Sequence, residues 1–334
     1  MKKQIALLLV GLFLWLTATA CGVVAQGATE LVAPTETATE MATEAATEAP
    51  VQRPEFDPYA KKNVYKLSEK LTEEQEDTDY GTVEEDVKYY SKTAGDYKYC
   101  NVLLPPGYNK KKTYPVLYLI HGWQSGYDVH LCENSYLHIL YGNMMREKQT
   151  VPMIIVSLEM YTDKLSKRAA IEKSEAKLLA AYNKVIEDIP NDLMPFIEKR
   201  YPVRRDRAST AIMGVSQGGT KALAAGFANL DRFGYIASFA PDPGTVPTGF
   251  LKGTIWNKPL LKEFPAYEEE NDLYYLYLAV GADDPENVEV TKYYGSLLKK
   301  IGFKNQTDVV KGYEHDYIFW RVGFYNFLNK IFRP

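Results

Sequence analysis

From Gly81 onward the chain alternates short apolar runs with longer amphipathic stretches. TVEEDVKYYS (82–91) and DYKYCNVLLPPGY (96–108) predict two strands, the second ended by Pro105, Pro106 and Gly107. YPVLYLIHG (114–122) and VPMIIVSLE (151–159) are apolar at nearly every position, as strands buried on both faces are. ASTAIMGVS (208–216), RFGYIASFAPDPG (232–244) and LYYLYLAVGADDP (273–285) read as further strands running into loops, and TDVVKGYEH (307–315) as a last short one. Between them lie helical patterns at 171–201, broken near Pro190, at 217–230, at 287–303 and at 316–332. Buried strands alternating with helices predict an α/β protein, a mostly parallel sheet covered on both faces. In such sheets the site lies at the carboxyl ends of the strands.

The pattern is absent upstream. MKKQIALLLVGLFLWLTATAC (1–21) has two lysines, an apolar stretch too short for a comfortable membrane span, and small residues before Cys21. Its end, ATAC, resembles a bacterial lipobox, so residues 1–21 are expected to be a lipoprotein signal and Cys21 the lipid-bearing residue; ordinary cleavage near Ala20 is the plainer alternative. Residues 22–55 are expected to be a disordered linker: within them, 27–54 repeats Ala-Thr-Glu, lacks aromatics and has almost no large apolar side chains. The folded domain is then 56–334, with 55–80 charged and sparse in apolar positions. Composition adds little: 46% hydrophobic and 25% charged is globular, and a net charge of −4 supplies no basic footprint for nucleic acid. The 26 tyrosines suit proteins that handle sugars or ring compounds, and suit cores equally well. Cys100 and Cys132 either pair or are both buried thiols.

Candidate chemistry gathers at the predicted strand ends. Gly214-Val215-Ser216-Gln217-Gly218 is a G-x-S-x-G between an apolar strand and a helix. As a three-position pattern it is weak, but this placement fits a strained turn that lifts a serine hydroxyl above the sheet. A serine needs a base. Of His121, His130, His138 and His315, only His315 follows the acid candidates, in the order Ser, Asp, His. Asp283 and Asp284 both end a strand, Asp242 in APDPG is a more distant third, and the residues alone do not choose among them. Oxyanion donors are expected at the backbone N–H of Gln217 and, from the HGWQSG loop, of Trp123, with His121 orienting that loop.

The segments VLLPPGYNKKKTYPVLYLIHG, YPVRRDRASTAIMGVSQGG, GADD and HDYIFWRVGFYNFL resemble the bacterial feruloyl and acetyl-xylan esterases of carbohydrate esterase family 1, often called esterase D-like, over about residues 82–334. The resemblance implies an α/β-hydrolase fold and a Ser-His-Asp triad with no metal or cofactor. It carries the nucleophile to Ser216, the base to His315, the acid to Asp284, and the oxyanion positions to Trp123 and Gln217. Two departures flank the pocket. Trp123, Gln124 and Ser125 stand where small residues and glycines are usual, and Glu314 stands where glycine is usual.

The expected function is a secreted, surface-tethered serine esterase that removes feruloyl or acetyl groups from plant cell-wall polysaccharide such as xylan. Its partners would be that acylated polymer and, through the lipid alone, a membrane. A siderophore esterase or an acyltransferase would use the same residues. A non-catalytic binding lipoprotein is the alternative from another class. The acyl group stays open, because acetate needs a small pocket and ferulate a long apolar slot. The stretch 245–272, long and aromatic-bearing, either borders the cleft or caps the sheet.

Overall fold

The structure, a computed structural model, describes residues 55–334. The lipobox, Cys21 and all but the last residue of the 22–55 linker lie outside the described residues.

Among the described residues eight strands form one sheet: β1 (Thr82–Ser91), β2 (Asp96–Leu104), β3 (Val116–Ile120), β4 (Ile154–Leu158), β5 (Thr210–Val215), β6 (Tyr235–Phe239), β7 (Tyr275–Gly281) and β8 (Gln306–Val310). Their spatial order is β1-β2-β4-β3-β5-β6-β7-β8. β1 and β2 form an antiparallel hairpin, β2 meets β4 antiparallel, and every later pairing is parallel. Strands β3 to β7 are buried at every position, which is why their sequences read as unbroken apolar runs rather than as alternations.

Six helices matter here: α1 (Tyr136–Arg146), α2 (Glu175–Asn183), α3 (Met194–Arg200), α4 (Gln217–Ala228), α5 (Pro285–Lys300) and α6 (Tyr317–Leu328). Alternate strand residues feed two cores. Val116, Tyr118, Ile212 and Leu278 face α2 to α5. Leu117, Leu119, Met213 and Tyr277 face α1 and α6. This is the expected α/β-hydrolase layering.

The helix predicted over 171–201 is bent rather than broken. A π-helical turn, Ile189–Leu193, carries Pro190 and joins α3 to the residues before it. A proline lacks the N–H and crowds the preceding turn, and a wider turn absorbs both defects. The 55–80 stretch is mostly exposed, but it is pinned. The side-chain amide of Asn326 donates to Val64 O and accepts from Val64 N, at 2.7 and 2.8 Å. Tyr59 donates to Lys304 O and accepts from Leu276 N. Cys100 is a buried free thiol on β2 that donates to the Val87 carbonyl, so it does not pair with Cys132; burial pushes it up to about 12.

Candidate active site

Ser216 sits between β5 and α4 at φ 54°, ψ −126°, a conformation that side chains seldom adopt. Its backbone is held from both sides: the amide donates to Phe239 O at 2.8 Å and the carbonyl accepts from Thr220 N. The turn closes because its flanks lack side chains. A Cβ on Gly214 would lie 2.3 Å from Gly218 O, and one on Gly218 would lie 2.3 Å from His121 O and Ile120 O. The glycines thus let strand, helix and the β3 loop touch beneath the serine. On the far side, the Cβ position of Gly122 is 3.6 Å from Ser216 Cβ, which brings the HGW loop over the nucleophile.

That loop is fixed by a buried charge network. His121 is fully buried; its Nδ1 lies 2.8 Å from Gly122 O, and its Nε2 lies 3.1 Å from Glu159 Oε1 and 3.0 Å from the Met160 amide. Arg168 donates to the other Glu159 oxygen at 3.1 Å. Burial alone would raise the Glu159 carboxyl, but His121, Arg168 and the Tyr161 amide outweigh it and hold it at about 2. Fixing the Gly122 carbonyl fixes the plane of the Gly122–Trp123 peptide, and a trans peptide points the Trp123 N–H the opposite way. The Trp123 ring packs edge-on against Tyr182 of α2, centroids 5.3 Å apart, and against Trp256 at 4.8 Å.

Trp256 comes from the 245–272 stretch, whose two halves do different things. The first half brings Trp256 to the loop above Ser216. The second half caps the helical layer: Phe264 is buried against Phe227 and Tyr294, and Tyr267 packs on Phe303.

On the β7–β8 side, His315 Nδ1 lies 2.7 Å from Asp284 Oδ2. Asp284 is almost wholly buried at the N-terminus of α5, and Asn287 one turn on donates to both its oxygens at 3.2 Å. Asp283 is exposed and contributes only its amide, to Tyr313 O. The edge of the His315 ring meets Trp320 at 4.9 Å between centroids. Gly281 lets this loop in, since a Cβ there would lie 2.2 Å from Tyr313 O. Among the described residues, His315 Nε2 has no hydrogen-bond partner, and no hydrogen bond joins His315 to Ser216.

Asp242, at the end of β6, is not against His315 Nδ1 but accepts from the Gln217 side chain at 2.9 Å. The other end of that amide accepts from Lys221, one helical turn on. Burial holds the Lys221 ammonium down at about 7 and pushes the Asp242 carboxyl up, the latter opposed by His315 and Lys221. Gln217 is thus clamped at both ends, which steadies the first turn of α4 and its N–H groups. Asn287, Lys221, Glu159, Arg168 and Trp256 are the partners that sequence reasoning missed. Only the i,i+3 and i,i+4 spacings of Asn287 and Lys221 from chosen residues could have signalled them. A cavity of about 280 Å³ beside Tyr274, Lys304 and Lys330 opens at the amino ends of β6 to β8, away from all of these groups.

A serine on a strained strand-to-helix turn, a loop amide beside it, and a buried Asp–His pair on the same sheet edge define a serine hydrolase of the α/β-hydrolase class. The model of the family described as "Putative esterase" matches residues 91–330. The chain belongs to this esterase family and is a serine carboxylic-ester hydrolase. It is similar to an endo-1,4-beta-xylanase/feruloyl esterase of Xylanibacter ruminicola, 27% identical over 250 residues, or 73% of this chain; the chain spans only 30% of that relative's length. Among solved structures it is similar to a carbohydrate esterase family 1 ferulic acid esterase of Anaeromyces mucronatus, solved with ferulic acid: TM-score 0.72, 28% identity, covering 81% of this chain and 98% of that one. A feruloyl esterase module of Clostridium thermocellum, complexed with sinapinate, shares the fold at 17% identity and a TM-score of 0.62, covering 81% of this chain and 95% of the module. The resemblance read from the motifs is borne out at the level of family and fold.

Proposed function

We propose that the protein is a feruloyl esterase acting on plant cell-wall polysaccharide such as xylan, held at the bacterial surface by a lipid on Cys21. Ser216 Oγ attacks the ester carbonyl, and His315 Nε2 takes its proton and returns it to the leaving sugar alcohol. Asp284 holds Nδ1 and stabilises the imidazolium. The backbone N–H groups of Gln217 and Trp123 receive the oxyanion. Water, deprotonated by His315, then releases the acid and frees Ser216.

The observation that carries the reading is the Asp284–His315 contact at 2.7 Å on the sheet edge that also holds the Ser216 turn. The Trp123–Trp256 pair beside that turn favours an aromatic acyl group over acetate, because flat rings bury most area against aromatic walls. The ferulic acid in the fungal relative's structure supports the same acyl class.

The test uses purified protein, Ser216→Ala and Trp256→Ala against methyl ferulate, an aryl acetate and feruloylated arabinoxylan. Ferulate release that Ser216→Ala abolishes is expected. Trp256→Ala should cost methyl ferulate about tenfold in kcat/KM and leave the acetate within about threefold, a loss near 1.4 kcal/mol on the aromatic acyl group alone. Equal losses on both esters would refute the aromatic acyl assignment. For the tether, Cys21→Ala should move the protein from the membrane fraction to the soluble one.

A further inference from the structure

The tip of the β1–β2 hairpin carries aromatic side chains that neither the core nor the candidate active site uses. Tyr90 and Tyr97 face each other across the ladder, with centroids 5.4 Å apart, and are 54% and 47% exposed. Two residues along, Lys88 opposes Tyr99, and its ammonium lies 4.1 Å above the Tyr97 ring. Tyr99 stacks with Tyr127, 6.4 Å between centroids. Tyr127 belongs to the same loop as Trp123, and its hydroxyl donates to Asp86 of β1. Exposed aromatics scattered singly need no explanation. Here they form a continuous strip that runs from the hairpin tip to the loop over Ser216.

The register places the strip. Cys100, Leu158, Ile120 and Gly214 form one row across β2, β4, β3 and β5. Ser216 lies two residues past that row, and Tyr97 lies three past it on the same edge. Three strand spacings, about 14 Å, separate their strands. A small ester cannot span that gap, whereas a polymer whose ester sits at Ser216 crosses it with a few sugar units.

The inner face of the hairpin is rigid. Lys98 makes a buried ion pair with Asp188 at 2.8 Å, Tyr89 donates to the same carboxylate, and Thr93 binds Asp192. The outer face is therefore fixed before any ligand arrives, and binding orders little.

We propose that Tyr90, Tyr97, Tyr99 and Tyr127 form a binding strip for the unesterified part of a neutral polysaccharide chain. Pyranose rings with equatorial hydroxyls present C–H faces that pack on phenol rings, while tyrosine hydroxyls and Lys88 meet the sugar oxygens. The strip contains no Leu, Ile, Val or Met, whereas the buried centre of a stable protein interface is largely apolar. The proposal rests on the polysaccharide reading of the site and deepens it.

The experiment separates the two. Full-length Ser216→Ala protein, with and without Tyr90→Ser and Tyr97→Ser, is run in native gels cast with de-esterified arabinoxylan. Retardation that the tyrosine changes reduce at least fivefold in apparent affinity is expected. In the active protein the same changes should lower kcat/KM on feruloylated arabinoxylan by about fivefold to tenfold and leave methyl ferulate unchanged, which also shows that the fold is intact. The proposal falls if Ser216→Ala protein is not retarded, if the tyrosine changes leave retardation unaltered, or if methyl ferulate and polymer turnover drop together. Retardation that depends on the tyrosines in a protein inert toward methyl ferulate would uphold the strip and overturn the esterase reading alone.

Discussion

At the residue scale the site depends on which of two adjacent carboxylates faces the imidazole. Asp284 is buried against His315 Nδ1 and doubly bonded by Asn287, while Asp283 is in solvent. Asp284→Asn would replace an acceptor with an amide that mis-sets the imidazole tautomer, and kcat should drop about 10⁴-fold. Asp283→Asn should stay within about threefold. Steady-state kinetics on one soluble ester checks both, and the opposite ranking would reassign the acid. Sequence chemistry could not choose between the two, because an Asp-Asp-Pro after a strand satisfies turn and triad alike. The family resemblance points to Asp284, and the three-residue step to Asn287, once α5 is known to begin at Pro285, supplies a physical reason. Ser216 and His315 were legible because G-x-S-x-G and the order of the histidines are local or one-dimensional signals. The clamp on Gln217 was not, since Asp242 lies 25 residues away and meets it only in the folded sheet.

At the scale of elements, the β5–α4 turn leaves no room for side chains at Gly214 or Gly218. Gly218→Ala would drive a methyl group to 2.3 Å from two backbone oxygens of β3 and its loop, where no side chain can move aside. A loss of at least about 2 kcal/mol is expected from overpacking alone, measured by urea unfolding, with activity falling further because the Ser216 turn and the HGW loop part. Unchanged stability and turnover would show that the contact is not tight. The strands were readable because burial on both faces leaves a plain apolar run. The helix at Tyr136–Arg146 was not resolved from its loop, because its buried side includes His138 and Asn143 among the apolar residues. The bend at Pro190 was half legible: a proline announces a defect, but whether the chain stops or widens into a π turn depends on packing against β1.

At the scale of the whole molecule, two buried groups with strongly displaced pKa values contribute to the loss of stability in acid. His130 is held neutral, its pKa down at about 3 from 6.5, by burial. Glu159 is held charged at about 2, from 4.5. In both cases the unfolded chain binds more protons over the interval, so stability falls as pH falls: from 6.5 toward 3 for His130 and from 4.5 toward 2 for Glu159. The His130 shift corresponds to on the order of 5 kcal/mol across its window. Urea midpoints should drop steadily below pH 6.5, and His130→Gln should flatten the upper part of that decline. Parallel curves for wild type and variant would remove His130 as the cause.

The clasp between Asn326 and Val64, 262 positions apart, has a further meaning when the protein is considered as a growing chain. The segment around Val64 cannot be pinned until Asn326 has followed it out of the ribosome. The imidazole at position 315 is in the same late portion, whereas the serine turn and its glycines are complete nearly a hundred residues earlier. A chain cut short before β8 therefore carries a nucleophile with neither base nor closing strap, so hydrolysis waits until positions 315 and 326 have been made.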